Sequence, residues 1–234
     1  MGRARVLAAE PQWCMNVELP RRYGLLLIAT LLSLGVQGIA PPGDIQQIVV
    51  AALSGASLVL AFRAAELPRL AIRAAAGLAV LVLGVTIVKA AAGGIGEGVV
   101  RLMNAALLVL GPPAVALGII RDLRTSRRVR IQSVMGVLAL YMLLGMLFGF
   151  VYGAVDHLGG DPFFANGDTA DVSHCLYFSF TTLTTVGYGD FVARSDLGHT
   201  LAVFEALIGQ IYLVTVVSLI VSNLGRPTRP APEN

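Results

Sequence analysis

The sequence predicts an all-α integral membrane protein with six transmembrane helices and one short re-entrant helix between the last two. Three observations carry that class. Hydrophobic residues fill 56% of the 234 positions and charged residues 13%, about half the roughly 25% usual for a soluble domain. Mean hydropathy is +0.77, and a soluble globule of this length cannot hide that much apolar surface. The apolar residues also fall in long runs with short breaks of proline, glycine and arginine between them. A secreted disulfide scaffold, a disordered chain and a nucleic-acid binder are all excluded by the same figures. Cys14 and Cys175 have no metal-ligand spacing and make no disulfide framework.

A hydrocarbon core of about 30 Å takes roughly 20 apolar residues as helix. Six runs meet that need: 23–40, 45–62, 71–90, 97–120, 131–152 and 199–222. Residues 1–22 carry Arg3, Arg5, Arg21 and Arg22 without the apolar stretch of a signal peptide, and are expected to be a cytoplasmic leader. The breaks that follow are Pro41-Pro42-Gly43-Asp44, Arg63 to Arg69 with Pro68, and Gly93-Gly94. A basic run from Arg121 to Arg130 then separates the first four spans, 23–120, from the rest. Fourteen of the seventeen basic residues fall on one side: the leader, 63–73, 121–130 and the tail 226–234. Asp44, Glu97, Asp156, Asp161, Asp168, Asp171, Asp190 and Asp196 fall on the other. The positive-inside rule then puts both termini in the cytoplasm of a multi-pass plasma-membrane protein.

Between the last two spans, residues 153–198 are too many for a turn, and their first half is polar and acidic. Val172 to Leu183 is apolar, with Leu176, Tyr177, Phe178 and Phe180 among hydroxyl residues. Its twelve residues make a helix of about 18 Å, too short to cross. Asp171 stands where an N-cap carboxylate suits the positive helix end. Such a segment survives at membrane depth only where protein or a water-filled cavity shields it from lipid.

That helix runs into Thr184-Thr185-Val186-Gly187-Tyr188-Gly189-Asp190. Thr185 to Gly189 match the carbonyl-lined TVGYG filter letter for letter, so the chain resembles the tetrameric potassium-channel superfamily. The chemistry asks for these residues. Backbone carbonyls can replace a cation's hydration shell without the cost of burying a full charge. Aiming successive carbonyls at one axis needs φ > 0, which glycine adopts cheaply, and Gly187 and Gly189 stand at alternate positions. By the resemblance, potassium binds at Thr185, Val186, Gly187 and Tyr188, with Thr184, Asp190, Tyr177 and Thr181 in support. Tyr177 is expected to donate to Asp190. Relatives often carry two tryptophans where this chain has Tyr177-Phe178, and some have glutamate at the position of Thr181.

One loop cannot encircle an ion, and identical chains usually close by symmetry, so the resemblance implies a homotetramer. It makes residues 131–225 a pore module: an outer helix, a pore helix 172–183, a filter 184–190 and an inner helix 199–222. Gly209 falls at the family's inner-helix hinge, with close packing as the alternative. Gln210, Leu213, Val217 and Val221 are expected along the cavity. Glu205, an acid inside a span, is expected to accept from pore-helix hydroxyls, with proton sensing as the alternative. Six spans also resemble the voltage-gated architecture, yet 97–120 holds only Arg101 near one end and is expected to be interrupted at Gly111-Pro112-Pro113. At about 2.3 kcal/mol per charge per 100 mV, one arginine per subunit gives shallow voltage dependence or none. Arg121, Arg124, Arg127, Arg128 and Arg130 serve topology, with anionic-lipid contact as the alternative.

The expected function is passive potassium conduction, with no enzymatic activity, no cofactor beyond the permeant ion and no nucleic-acid partner. A weakly selective cation channel and a silent modulatory subunit are the alternatives. A membrane metalloenzyme, built on His157, His174 and His199 with the nearby acids, is a distant one, because their spacing fits no zinc pattern. Ala/Leu/Val/Arg-rich usage with a single lysine, Lys89, points to a GC-rich bacterial coding sequence.

Overall fold

The computed structural model describes residues 23–39, 43–93, 96–126 and 131–224. The leader 1–22, the tail 226–234 and Arg127, Arg128 and Arg130 lie outside the described residues, as do the side chains of Arg124, Val217 and Val221. Seven helices are described: α1 Tyr23–Ile39, α2 Asp44–Ala64, α3 Arg69–Ala92, α4 Glu97–Ser126, α5 Ile131–Gly159, α6 Val172–Leu183 and α7 Asp196–Leu224. The described residues form no sheet, only one isolated antiparallel bridge, Phe164 to Ala193.

Five of these helices are long and apolar enough to cross a membrane, and α1 is shorter, at 17 residues. The described part of α1 ends at Ile39 and is about 26 Å long. One correction concerns α4, which runs unbroken through Pro112 and Pro113 to Ser126. Neighbouring helices re-satisfy the freed backbone groups of an intramembrane proline, and Gly111 lies against Leu143 of α5. Arg121 and Arg124 therefore end α4 rather than begin a linker. α5 runs seven residues past the expected 152, and α7 starts at Asp196 instead of 199.

α4 and α1 lie along α5 of the same chain, and α1 also reaches α6. Glycine makes the close crossings possible. The Tyr23 ring of α1 fills the space where a β-carbon at Gly136 of α5 would sit, and its hydroxyl does so at Gly118 of α4. One core cluster accordingly joins Tyr23 and Leu26 of α1, Leu108 and Val115 of α4, Leu143, Met146 and Phe150 of α5, and Leu176 of α6. α3 packs mainly on α2, where a β-carbon at Gly55 would lie 2.8 Å from that of Ala79.

Candidate functional site

α6 is positioned by its two ends and one face. At its start the Asp171 carboxylate accepts from the His174 amide at 2.7 Å, satisfying one orphan donor of the first turn. Its face lies in a row of small residues on α5, Gly145, Gly149 and Gly153, spaced four apart and therefore on one side of that helix. A β-carbon at Gly145 would lie 2.6 Å from Phe180, and one at Gly149 2.8 Å from Leu176. At its end the Tyr141 hydroxyl of α5 donates to the Leu183 carbonyl at 3.0 Å. Gly209 of α7 passes so close that a β-carbon there would overlap the same oxygen and lie 2.9 Å from Leu183 Cδ1. Gly209 thus packs closely against the end of α6. Gln210 and Leu213 are exposed on the chain's surface.

The segment after α6 folds back on it through amides. Thr185 N donates to Thr182 O at 2.9 Å, while Val186 N and Gly187 N both donate to Thr181 O, at 2.8 and 3.1 Å. All described peptides are trans, and a trans peptide holds its carbonyl opposite its N–H. With the amides of 185–187 turned toward α6, the carbonyls of Thr184, Thr185 and Val186 turn away from it. Among the described residues, no hydrogen bond is accepted by a carbonyl of 184–189. The sign of φ alternates along this stretch: positive at Thr185 (58°), Gly187 (52°) and Gly189 (80°), negative at Val186 and Tyr188. Opposite backbone hands at alternate residues turn successive carbonyls to one side, whereas a strand alternates them. Thr185 is the unexpected member, since a β-branched residue at positive φ is uncommon and strained.

The outer flank is tied by aromatic residues. The Tyr177 hydroxyl donates to Asp190 Oδ2 at 2.7 Å, the pair expected from the resemblance, and its ring stacks on Tyr188 at 6.3 Å. Behind them Phe163, Phe164, Phe178 and Tyr152 are buried together. The 163–165 segment pairs with 192–194 through Ala165 N to Val192 O (2.9 Å) and Arg194 N to Phe163 O (2.8 Å). Phe163 and Phe164 lie in the stretch that reads as polar and acidic. Two adjacent phenylalanines among aspartates were the available signal for a small core there.

Two ionisable groups tie helices to this site. Glu205 of α7 is fully buried; Tyr152 of α5 donates to its Oε2 at 2.5 Å, and its Oε1 contacts Ser179 Oγ of α6. Ser179 Oγ also contacts the Gly145 carbonyl at 2.7 Å. Arg101 of α4 donates through Nη1 to the carbonyl of Ala170 at 2.7 Å, just ahead of the pore-helix cap. Among the described residues no three metal-ligating side chains converge, so His157, His174 and His199 do not gather with the acids into a metal site. An Arg101→Gln substitution is expected to lose a charge-assisted bond of about 1.5–3 kcal/mol, read as a lower melting temperature. The current–voltage relation of the variant should match that of the wild type, because a guanidinium held by a backbone carbonyl is not free to traverse the field.

Comparison with known proteins falls on this region. Residues 136–226 match the model of a family described as ion channel. Among curated proteins, the chain is 33% identical over 92 residues to the inward rectifier potassium channel Kirbac3.1 of Paramagnetospirillum magnetotacticum, covering 39% of this chain and 30% of that one. It is 36% identical over 67 residues to the calcium-activated potassium channel slowpoke of Drosophila melanogaster, covering 28% of this chain and 6% of that one. It is also 39% identical over 66 residues to the two pore potassium channel b of Oryza sativa subsp. japonica, covering 28% of this chain and 17% of that one. The matches therefore span less than a third of each relative. No solved structure matches the chain. The region matched by the family model coincides with most of α5 and with α6, the 184–190 segment and α7, so that part of the chain is similar to ion channels.

Proposed function

We propose that the protein is a potassium-selective channel, conducting passively through a homotetrameric pore whose filter is Thr185, Val186, Gly187, Tyr188 and Gly189. The observation that carries this reading is the run of peptide carbonyls with no internal donor, presented by amides bonded to the pore helix. Oxygens so placed lack a partner in one chain, and four copies around an axis would give a dehydrated cation a cage. The tetramer draws support from α7, whose Val203, Phe204, Leu207 and Ile211 are each more than half exposed. Apolar faces beside a loop that cannot close alone are suited to burial against identical copies. In that assembly Thr184, Thr181, Tyr177 and Asp190 brace the filter, while Gln210, Leu213, Val217 and Val221 line the cavity. Arg121, Arg124, Arg127, Arg128 and Arg130 face anionic lipid at the cytoplasmic surface of a bacterial plasma membrane. The lone and anchored Arg101 supports weak voltage dependence or none.

Flux into proteoliposomes under opposed potassium and sodium gradients tests the reading. Barium-sensitive potassium flux with little sodium flux is the expected result. Equal sodium flux would reassign the protein as a weakly selective cation channel, and silence across pH and voltage would leave a modulatory subunit as the better account.

A further inference from the structure

The contacts of Glu205 allow its protons to be counted. Tyr152 supplies one donor, to Oε2 at 2.5 Å. Ser179 Oγ carries a single proton and touches two oxygens, Glu205 Oε1 and the Gly145 carbonyl at 2.7 Å. The carbonyl can only accept. If Ser179 donates to Glu205, its lone pairs are pressed against those of the Gly145 oxygen. If Ser179 donates to Gly145, Oε1 must itself carry a hydrogen and donate to Ser179. Only the second arrangement leaves no close pair of oxygens without a hydrogen between them.

From this geometry we infer that Glu205 is held as a neutral carboxylic acid and positions the pore helix, donating to Ser179 of α6 while accepting from Tyr152 of α5. The surroundings agree. Glu205, Tyr152 and Ser179 have no exposed area in the single chain, so a neighbouring subunit cannot touch the acid with a counter-charge. The titratable groups around it are Tyr152 and Tyr141 of α5, with Cys175 of α6 beside Tyr152, and none is a cation. Arg101 reaches Gly153 and Cys175 but donates to the Ala170 carbonyl. Among the described residues no ion pair includes Glu205. An isolated carboxylate here would be a buried, uncompensated charge, whereas the acid closes a chain of three bonds across α7, α6, and α5. That chain ends on Gly145, the residue against which Phe180 is seated. The tie therefore exists while the proton is bound and is lost as pH rises through the ionisation of Glu205.

Two variants and one spectrum test this. Glu205→Gln keeps one donor and one acceptor without a charge; Glu205→Ala keeps neither. The Gln variant should melt close to wild type and conduct within roughly twofold of it, while Ala should lose about tenfold or more in flux and melt lower. Wild-type flux should fall at alkaline pH, and the Gln variant should be flat over the same range. The infrared difference spectrum of purified protein, wild type minus Glu205→Gln at neutral pH, should contain a protonated-carboxyl stretch that disappears at alkaline pH. An absent stretch, a Gln variant as damaged as Ala, or an Ala variant equal to wild type would each overturn the assignment. Melting and infrared readouts do not depend on conduction, so a silent wild type would count against the proposed function alone.

Discussion

Under the proposed function, replacing Gly187 with alanine is expected to abolish potassium flux while the elution volume in size-exclusion chromatography stays unchanged. Gly187 sits at φ +52°, where a β-carbon costs about 1–2 kcal/mol; in a tetramer the four copies would load one ring with about 4–8 kcal/mol. No atom lies within 4 Å of the β-position in the single chain, so the cost falls on backbone conformation and not on packing. The backbone relieves it by rotating the peptide that carries the ring's carbonyl. Gly160, at φ +74° with equally open surroundings, supplies the control: Gly160→Ala bears the same strain in the loop after α5 and is expected to leave flux intact. Equal flux in the Gly187 and wild-type proteins would remove the filter assignment.

Gly209→Ala is expected to lower both melting temperature and flux, and for the opposite reason. The helix itself would gain about 1 kcal/mol from alanine, so space alone decides the sign. The new methyl meets the Leu183 carbonyl and side chain, backbone that cannot swing aside, at a cost of about 1–3 kcal/mol or more for overpacking. The oxygen it displaces is the one that accepts from Tyr141, one residue ahead of Thr184, so the strain enters the proposed filter at its base. Gly84 of α3 has nothing within 4 Å, and Gly84→Ala should raise the melting temperature slightly. A Gly209→Ala protein as stable as the Gly84 variant would show that α7 and α6 lie farther apart than described.

The site was more legible in the sequence than the module around it, and the residues explain why. The short helix α6 falls at 172–183 as its cap and flanking breaks predict, because a carboxylate at an N-terminus and a following glycine-rich stretch are local signals. The Tyr177–Asp190 bond was readable through the resemblance. The positive φ of Thr185 was not, since β-branched residues avoid that region and only the hydrogen bonds to Thr181 and Thr182 impose it. The proline pair in α4 misled for a related reason: the penalty is local, while its compensation comes from neighbouring helices. The glycines at 145, 149 and 153 were visible as a four-residue spacing on α5, a pattern that marks close helix approach in membranes. What no single-chain pattern could reveal was the partner of that stripe, because it lies some thirty residues downstream in α6.

The packing of α1 and α4 on the α5 of the same chain has a consequence for biogenesis. Most of the contacts that define a protomer join elements made consecutively on the ribosome, so each copy can reach its native shape alone and early. In the proposed homotetramer, association would then be a separate, concentration-dependent event between finished parts, and exchange of subunits would require no chain to unravel.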